Sequence, residues 1–327
     1  MDQEVAIKRT LAFFAVWQQP LTPMEVWRFL WLPGVDRRSE IVDRVGLSEI
    51  KKKLEEMAGR GEIGVRHQFY FLLKNPDGEP VDGGAWYMER QWLGIVALKK
   101  WRLAVRGAKL LRLVPFVRMV SVGNTLAIEH AREDSDIDFF IVAKAGRLWT
   151  VRVISLLLLQ LAGLRRHDRK IQDRLCLSFY VTEDALDLSV LAKLPLDPYL
   201  AYWIASLWPV WGNEIYQKFW EANSWIKKFL PTALARKTAG PRRVERSWLA
   251  ESWQKGGEFL LGGVLGRALE KFFRRLMLRR IHGRSESKFW AQETDVIVSD
   301  RMLKFHETDR RVKIREEWER WSVSSRA

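Results

Sequence analysis

Asp136 and Asp138 are the residues in this sequence whose type and spacing most directly suggest chemistry. They open the apolar run Ile137-Asp138-Phe139-Phe140-Ile141-Val142, a composition that predicts a β-strand. Residues two apart in a strand share a face, with roughly 7 Å between their Cα atoms. Ile137, Phe139 and Ile141 then point the other way, into a core. Two carboxylates held side by side resist ionising together unless something cationic sits between them. Magnesium suits that role, because it takes hard oxygen ligands and keeps positions open for phosphate oxygens.

Upstream, Arg118-Met119-Val120-Ser121-Val122 predicts another short strand, and Gly123-Asn124 a turn into a helix. Gly123 lets the chain turn, and Asn124 and Thr125 can offer backbone N–H groups and short polar side chains to a phosphate. A strand, a Gly turn, a polar segment, then Ser135-Asp136-Ile137-Asp138 on the next strand resembles the nucleotidyltransferase superfamily of DNA polymerase beta, including its minimal members. The resemblance is close over 118–142 and looser over the flanking core. It implies transfer of a nucleoside monophosphate from a nucleoside triphosphate to a hydroxyl on RNA, a protein or a small molecule, with release of pyrophosphate. Asp136 and Asp138 would be the metal ligands. Gly123, Asn124, Thr125 and Ser135 would bind the nucleotide, although Asn124 stands where that family usually has Ser or Gly.

The same resemblance implies a third acid in the middle of the strand that follows the next helix. That strand is predicted at 175–181, where Cys176, Ser178 and Tyr180 face one way and Leu175, Leu177 and Phe179 the other. None is acidic. Asp173, at the strand's start, has the opposite parity to Cys176. Three readings stay open: Asp173 enters as a third catalytic acid through a bulge, two acids suffice, or the domain binds nucleotide without turnover inside a nucleic-acid-binding regulator.

The surrounding elements must position these groups. Residues 1–75 read as three helices and a hairpin, the order of a winged helix. Thr22-Pro23-Met24-Glu25 is a capping box with proline in the first turn. Lys51, Lys52 and Lys53 mark the third helix as the one that would read DNA or RNA, while Glu49, Glu55 and Glu56 on the same helix weaken that reading. Asn75-Pro76-Asp77-Gly78 begins a linker. A basic helix over 86–113, which Gly107 could split, precedes the first core strand, and an apolar helix over 147–164 follows the second. Past Pro198 the chain reads as helical, at 199–208, 214–229, 245–253, 258–281 and 288–321. The expected fold class is thus α+β: a winged-helix-like domain at 1–82, a small mixed-sheet nucleotidyltransferase-like domain at 83–198 and an all-helical domain at 199–327.

Composition sets the limits. The chain has 327 residues and a net charge of +15, which favours a polyanionic partner such as nucleotide, RNA or DNA. One cysteine permits no internal disulfide, and the longest apolar run, near Leu156–Leu159, is too short for a transmembrane segment. A cytoplasmic location is the expectation. The five histidines show no zinc spacing, and Glu129-His130 reads as part of a surface loop. Ten of the 17 tryptophans follow residue 200, where they suit helix interfaces or, less simply, a binding surface. The charged stretch 302–311 reads as a helix face laced with ion pairs, or as a segment docking on the site with Lys304 or Arg310 as phosphate contacts. The row Leu261, Leu265, Leu269, Phe272, Leu276, accompanied by arginines, reads as helix packing or as a basic amphipathic helix for a membrane or RNA.

Overall fold

The computed structural model describes residues 2–34, 45–167, 170–193, 196–237, 240–284, 295–306 and 310–324. The N-terminal unit contains α1 (Gln3–Ala15), α2 (Pro23–Arg28), α3 (Leu47–Gly59) and the antiparallel hairpin β1 (Gly64–Arg66) and β2 (Phe69–Phe71). The capping box forms as its sequence predicts: Glu25 N donates to Thr22 Oγ1, and Thr22 N donates to Glu25 Oε2 at 2.9 Å. Leu21 forms an antiparallel bridge to Tyr70, tying the segment before α2 to the hairpin. On α3 the three lysines pair with glutamates: Lys51 with Glu55, Lys52 with Glu56, and Lys53 with Glu56 and Glu4. The helix therefore presents balanced charge rather than a cationic face.

Asp82 caps α4 (Gly83–Leu111), which runs unbroken through Gly107. Gly107 is a packing position, not a break. A Cβ there would sit 2.1 Å from Leu175 Cδ1, so glycine lets the helix close onto the sheet. Then come β3 (Val117–Val122), the one-turn helix α5 (Asn124–Ala127), β4 (Ile137–Ala143), α6 (Leu148–Leu161) and β5 (Leu175–Thr182). These elements follow the predicted order.

The region past residue 198 departs from the all-helical expectation. It contains α7 (Pro198–Ser206), β6 (Trp208–Trp211), α8 (Asn213–Ala222), α9 (Trp248–Gly262), α10 (Val264–Arg284), β7 (Asp295–Val298), β8 (Met302–His306) and α11 (Arg311–Ser324). The predicted helix 288–321 is thus two strands and a helix in its described residues, with 288–294 and 307–309 outside them. All three late strands join one mixed six-stranded sheet of order β6-β3-β4-β5-β8-β7, in which only β4 and β5 are parallel. The sheet consequently runs through position 198 rather than ending there. Short strands are stabilised by hydrogen bonds to distant partners, so local periodicity carries little signal for them.

The sheet separates two cores. Ile137, Phe139 and Ile141 pack with Ala104, Ala108 and Trp149 of α4 and α6 on one side. Phe140, Phe179 and Val181 pack on the other side, in a cluster that continues into α7, α8, α11 and the N-terminal unit. Tryptophans seal that second junction. Trp31 stacks on Phe229 and meets Trp318 edge-on, and Trp318 Nε1 donates to Arg9 O at 2.9 Å. Among the described residues no helix is long and apolar enough to cross a membrane.

Candidate active site

The two-residue spacing at the start of β4 puts Asp136 and Asp138 at a cavity of about 1070 Å³ on the second face of the sheet. Its walls come from every part of the chain: Phe13 and Trp17 from α1, Asn124 and Thr125 from α5, Tyr199 and Trp203 from α7, and Lys304 from β8.

Asp138 is fixed from two directions. Its Oδ2 accepts from Asn124 Nδ2 at 2.7 Å, and Asn124 Oδ1 in turn accepts from Trp203 Nε1 at 2.8 Å. Asn124 adopts φ 54, a left-handed conformation that asparagine tolerates better than most residues. Gly123 precedes it in extended conformation and donates its N–H to Asp138 O at 3.1 Å. A Cβ at Gly123 would come within 3.3 Å of Trp203 Nε1, so this glycine keeps the indole in reach of Asn124. Burial pushes the Asp138 carboxyl up to about 6, and the neighbouring Asp136 adds to that effect against the Asn124 hydrogen bond. Asp136 Oδ2 accepts from Arg166 at 2.7 Å.

Cys176 completes the cluster. It is the register partner of Asp138 on parallel β5, and Asp136, Asp138 and Cys176 bring one potential ligand atom each within 4.8 Å of one another. A bulge follows: Asp138 pairs with Cys176, yet Phe140 pairs with Phe179. The extra residue reverses the parity of the strand, placing Phe179 and Val181 on the cavity side and Tyr180 in the opposite core. The predicted grouping of Cys176, Ser178 and Tyr180 on one face therefore holds only as far as Ser178, which lines the cavity. Burial and the two aspartates push the Cys176 thiol up to about 12, so it is protonated at neutral pH.

Asp173 does not enter the cluster. Its carboxylate is held by Lys99 at 2.6 Å and by Lys100 at 3.0 Å. Lys100 is fully buried and also donates to the carbonyls of Glu133 and Ser135, at 3.1 and 2.7 Å. One ammonium thus braces both the turn before Asp136 and the start of β5. Ser135 belongs to this brace as well, with its hydroxyl donating to Arg132 O and its carbonyl accepting from Asp173 N. Neither Ser135 nor Gly123 lines the cavity, whereas Asn124 and Thr125 do. His130 is buried away from the cavity, not on a surface loop.

Among the described residues, the charged lining apart from the two aspartates is basic. Arg152, Arg165 and Arg166 come from α6 and the turn after it. Arg280 of α10, Lys304 of β8, and Arg310 and Arg311 at the start of α11 come from the C-terminal region. In the sequence Lys304 and Arg310 stood out only as phosphate contacts of a docking segment; both line the cavity, Lys304 from an inner strand of the sheet and Arg310 from the residue before α11. Arg165 and Arg166 were visible merely as flanks of an apolar run, Arg311 only as the end of the stretch 302–311, and Arg280 carried no signal pointing to the site. The Arg152 guanidinium is pulled below its usual value, mainly by burial and further by Arg165, and an anion in the cavity would relieve that penalty.

No protein-family model matches the sequence, and no curated protein or solved structure matches the chain.

Proposed function

We propose that the chain binds a nucleoside triphosphate and magnesium in this cavity and transfers the nucleoside monophosphate to an acceptor hydroxyl. The observation that carries the reading is the paired carboxylates of Asp136 and Asp138 at a cavity whose other charged lining, among the described residues, is cationic. A triphosphate–metal complex has the complementary arrangement, with one cationic centre on a polyanionic tail.

The donor set fits a hard ion. Asp136 and Asp138 offer carboxylate oxygens that repel each other, while the protonated Cys176 thiol offers no thiolate. When bound there, magnesium would neutralise the triphosphate and polarise the acceptor hydroxyl. Asn124 would hold Asp138 in orientation through the hydrogen bond it already makes. Arg166 would release or share the Asp136 oxygen and join Arg165 and Lys304 in balancing phosphate charge. In the reaction, the acceptor oxygen bonds to the α-phosphorus and the bond from that phosphorus to the α,β-bridging oxygen breaks. Pyrophosphate leaves with the electron pair, and the hydroxyl proton passes through a carboxylate of the pair to solvent.

A second reading is favoured by one specific feature, the thiol of Cys176 opposite Asp138. With two acids rather than three the site would retain nucleotide without turning it over, serving as a sensor for a regulator whose winged-helix-like N-terminal unit contacts nucleic acid. Incubation of the protein with each labelled triphosphate, magnesium and pooled RNA and protein acceptors separates the two. Label transfer that Asp136→Ala abolishes supports the transferase. Magnesium-dependent nucleotide binding without transfer supports the sensor. Absence of both removes the nucleotide from this cavity altogether.

A further inference from the structure

The tryptophan-rich C-terminal region contains a surface that the cavity does not use. In α9, Trp248, Leu249, Trp253, Phe259 and Leu260 are 74, 62, 67, 86 and 71 % exposed. At 100° per residue they fall within roughly 140° of the helix circumference, with Ser252 and Gly256 between them. That whole arc carries no charge. The opposite side of α9 is the one the fold uses: Glu258 bonds Arg118 and the Phe116 N–H, and Gln254 bonds the carbonyls of Val114 and Val117.

α10 packs against α9 and shows the same division. Glu270 faces inward and caps the start of α6, accepting from the N–H groups of Trp149 and Thr150. Leu265, Phe272 and Leu276 are exposed, and so are Arg267, Lys271, Arg275 and Arg279 around them. Between residues 248 and 281 the acids are Glu251, Glu258 and Glu270, and each is engaged by a protein group: Glu251 pairs with Arg246. The outward side of the helix pair is therefore apolar and cationic, without an available carboxylate.

We infer that this face docks on an anionic lipid bilayer. The charge pattern selects that occupant. A second copy of the same face would set its own cations against cations, and RNA alone would leave the uncharged arc of α9 in water. A bilayer with acidic headgroups takes both parts, with the aromatic and aliphatic side chains entering the headgroup–acyl boundary and the arginines meeting phosphates. This inference is independent of the nucleotide reading, because none of these exposed residues lines the cavity.

Flotation of the full chain with vesicles tests it, comparing phosphatidylcholine alone with phosphatidylcholine mixed with phosphatidylglycerol. The expected result is co-flotation with the mixed vesicles, weakened by salt. Trp253→Ser combined with Phe259→Ser should reduce partitioning by about tenfold or more, and Arg275→Glu combined with Arg279→Glu should abolish the preference for anionic lipid. All four positions are exposed, so thermal melting should not move. The inference is overturned if neither vesicle binds, or if binding survives both double variants. It is equally overturned if the apolar variant dissociates a solution dimer while leaving flotation unchanged, or if RNA binds the face in place of vesicles.

Discussion

Asp138 and Cys176 lie directly across from each other on parallel strands, with an acid on β4 and a protonated thiol on β5. The thiol occupies the cavity-facing position from which a third carboxylate would reach the magnesium ion we propose there. Cys176→Asp should therefore raise magnesium affinity, on the order of tenfold, and speed label transfer, whereas Cys176→Ser should change neither by much. Equilibrium dialysis with magnesium and a single-turnover assay would show this. Unchanged affinity in Cys176→Asp would place the ion away from this strand pair.

The brace behind the site can be separated from the site itself. Lys100→Met leaves the carbonyls of Glu133 and Ser135 without their charged donor and should cost about 1–3 kcal/mol in urea unfolding. Asp173→Asn should also lower stability. Burial opposes ionisation of Asp173, but the bonds from Lys99 and Lys100 outweigh it and hold its carboxyl below the ordinary carboxylate range. Its contribution is thus present above the unfolded-state value and lost as the pH falls through the lower folded-state value. If Asp173→Asn removed label transfer at full stability, the assignment of Asp173 to the brace would be wrong.

His130 gives stability a pH dependence of its own. Burial lowers its imidazole from 6.5 to about 4, with Arg90 and Arg132 acting in the same direction against a hydrogen bond to Trp17. The unfolded chain then binds the proton more readily than the native one. The native state has its full advantage above pH 6.5 and loses about 3 kcal/mol of it as the pH falls to 4. Urea midpoints for the wild type and His130→Gln should converge on acidification, once other groups titrating alike in both are subtracted. Parallel curves would remove His130 as the cause.

Trp318 ties the last helix to the first. It is fully buried, meets Trp31 edge-on with ring centroids 5.1 Å apart and lies under the Arg9 guanidinium. Trp318→Ala should destabilise the protein by about 3–5 kcal/mol. Since one apolar cluster joins the N-terminal unit to the sheet, the loss should appear in a single unfolding transition monitored by far- and near-ultraviolet circular dichroism. Two separated transitions would instead mark the N-terminal unit as independently stable.

Local pattern was enough to read the Thr22–Glu25 capping box, the strands on either side of Gly123, the apolar helix expected over 147–164 and found at Leu148–Leu161, and the shared face of Asp136 and Asp138. Each depends on residues within a few positions of one another, where backbone geometry alone decides which side chains meet. Tertiary structure decided the rest. Lys304 reached the cavity because Met302–His306 pairs with β5, a strand more than a hundred residues earlier in the chain, and charges at helical spacing gave no sign of it. Cys176 came opposite Asp138 through the strand register, and one bulged residue then turned Tyr180 away. Asp173 was drawn from the site by Lys99 and Lys100 on a helix that leaves no trace near β5 in the sequence. Partner choice among distant segments is settled by the joint packing of both sheet faces, and a single chain segment does not contain that information.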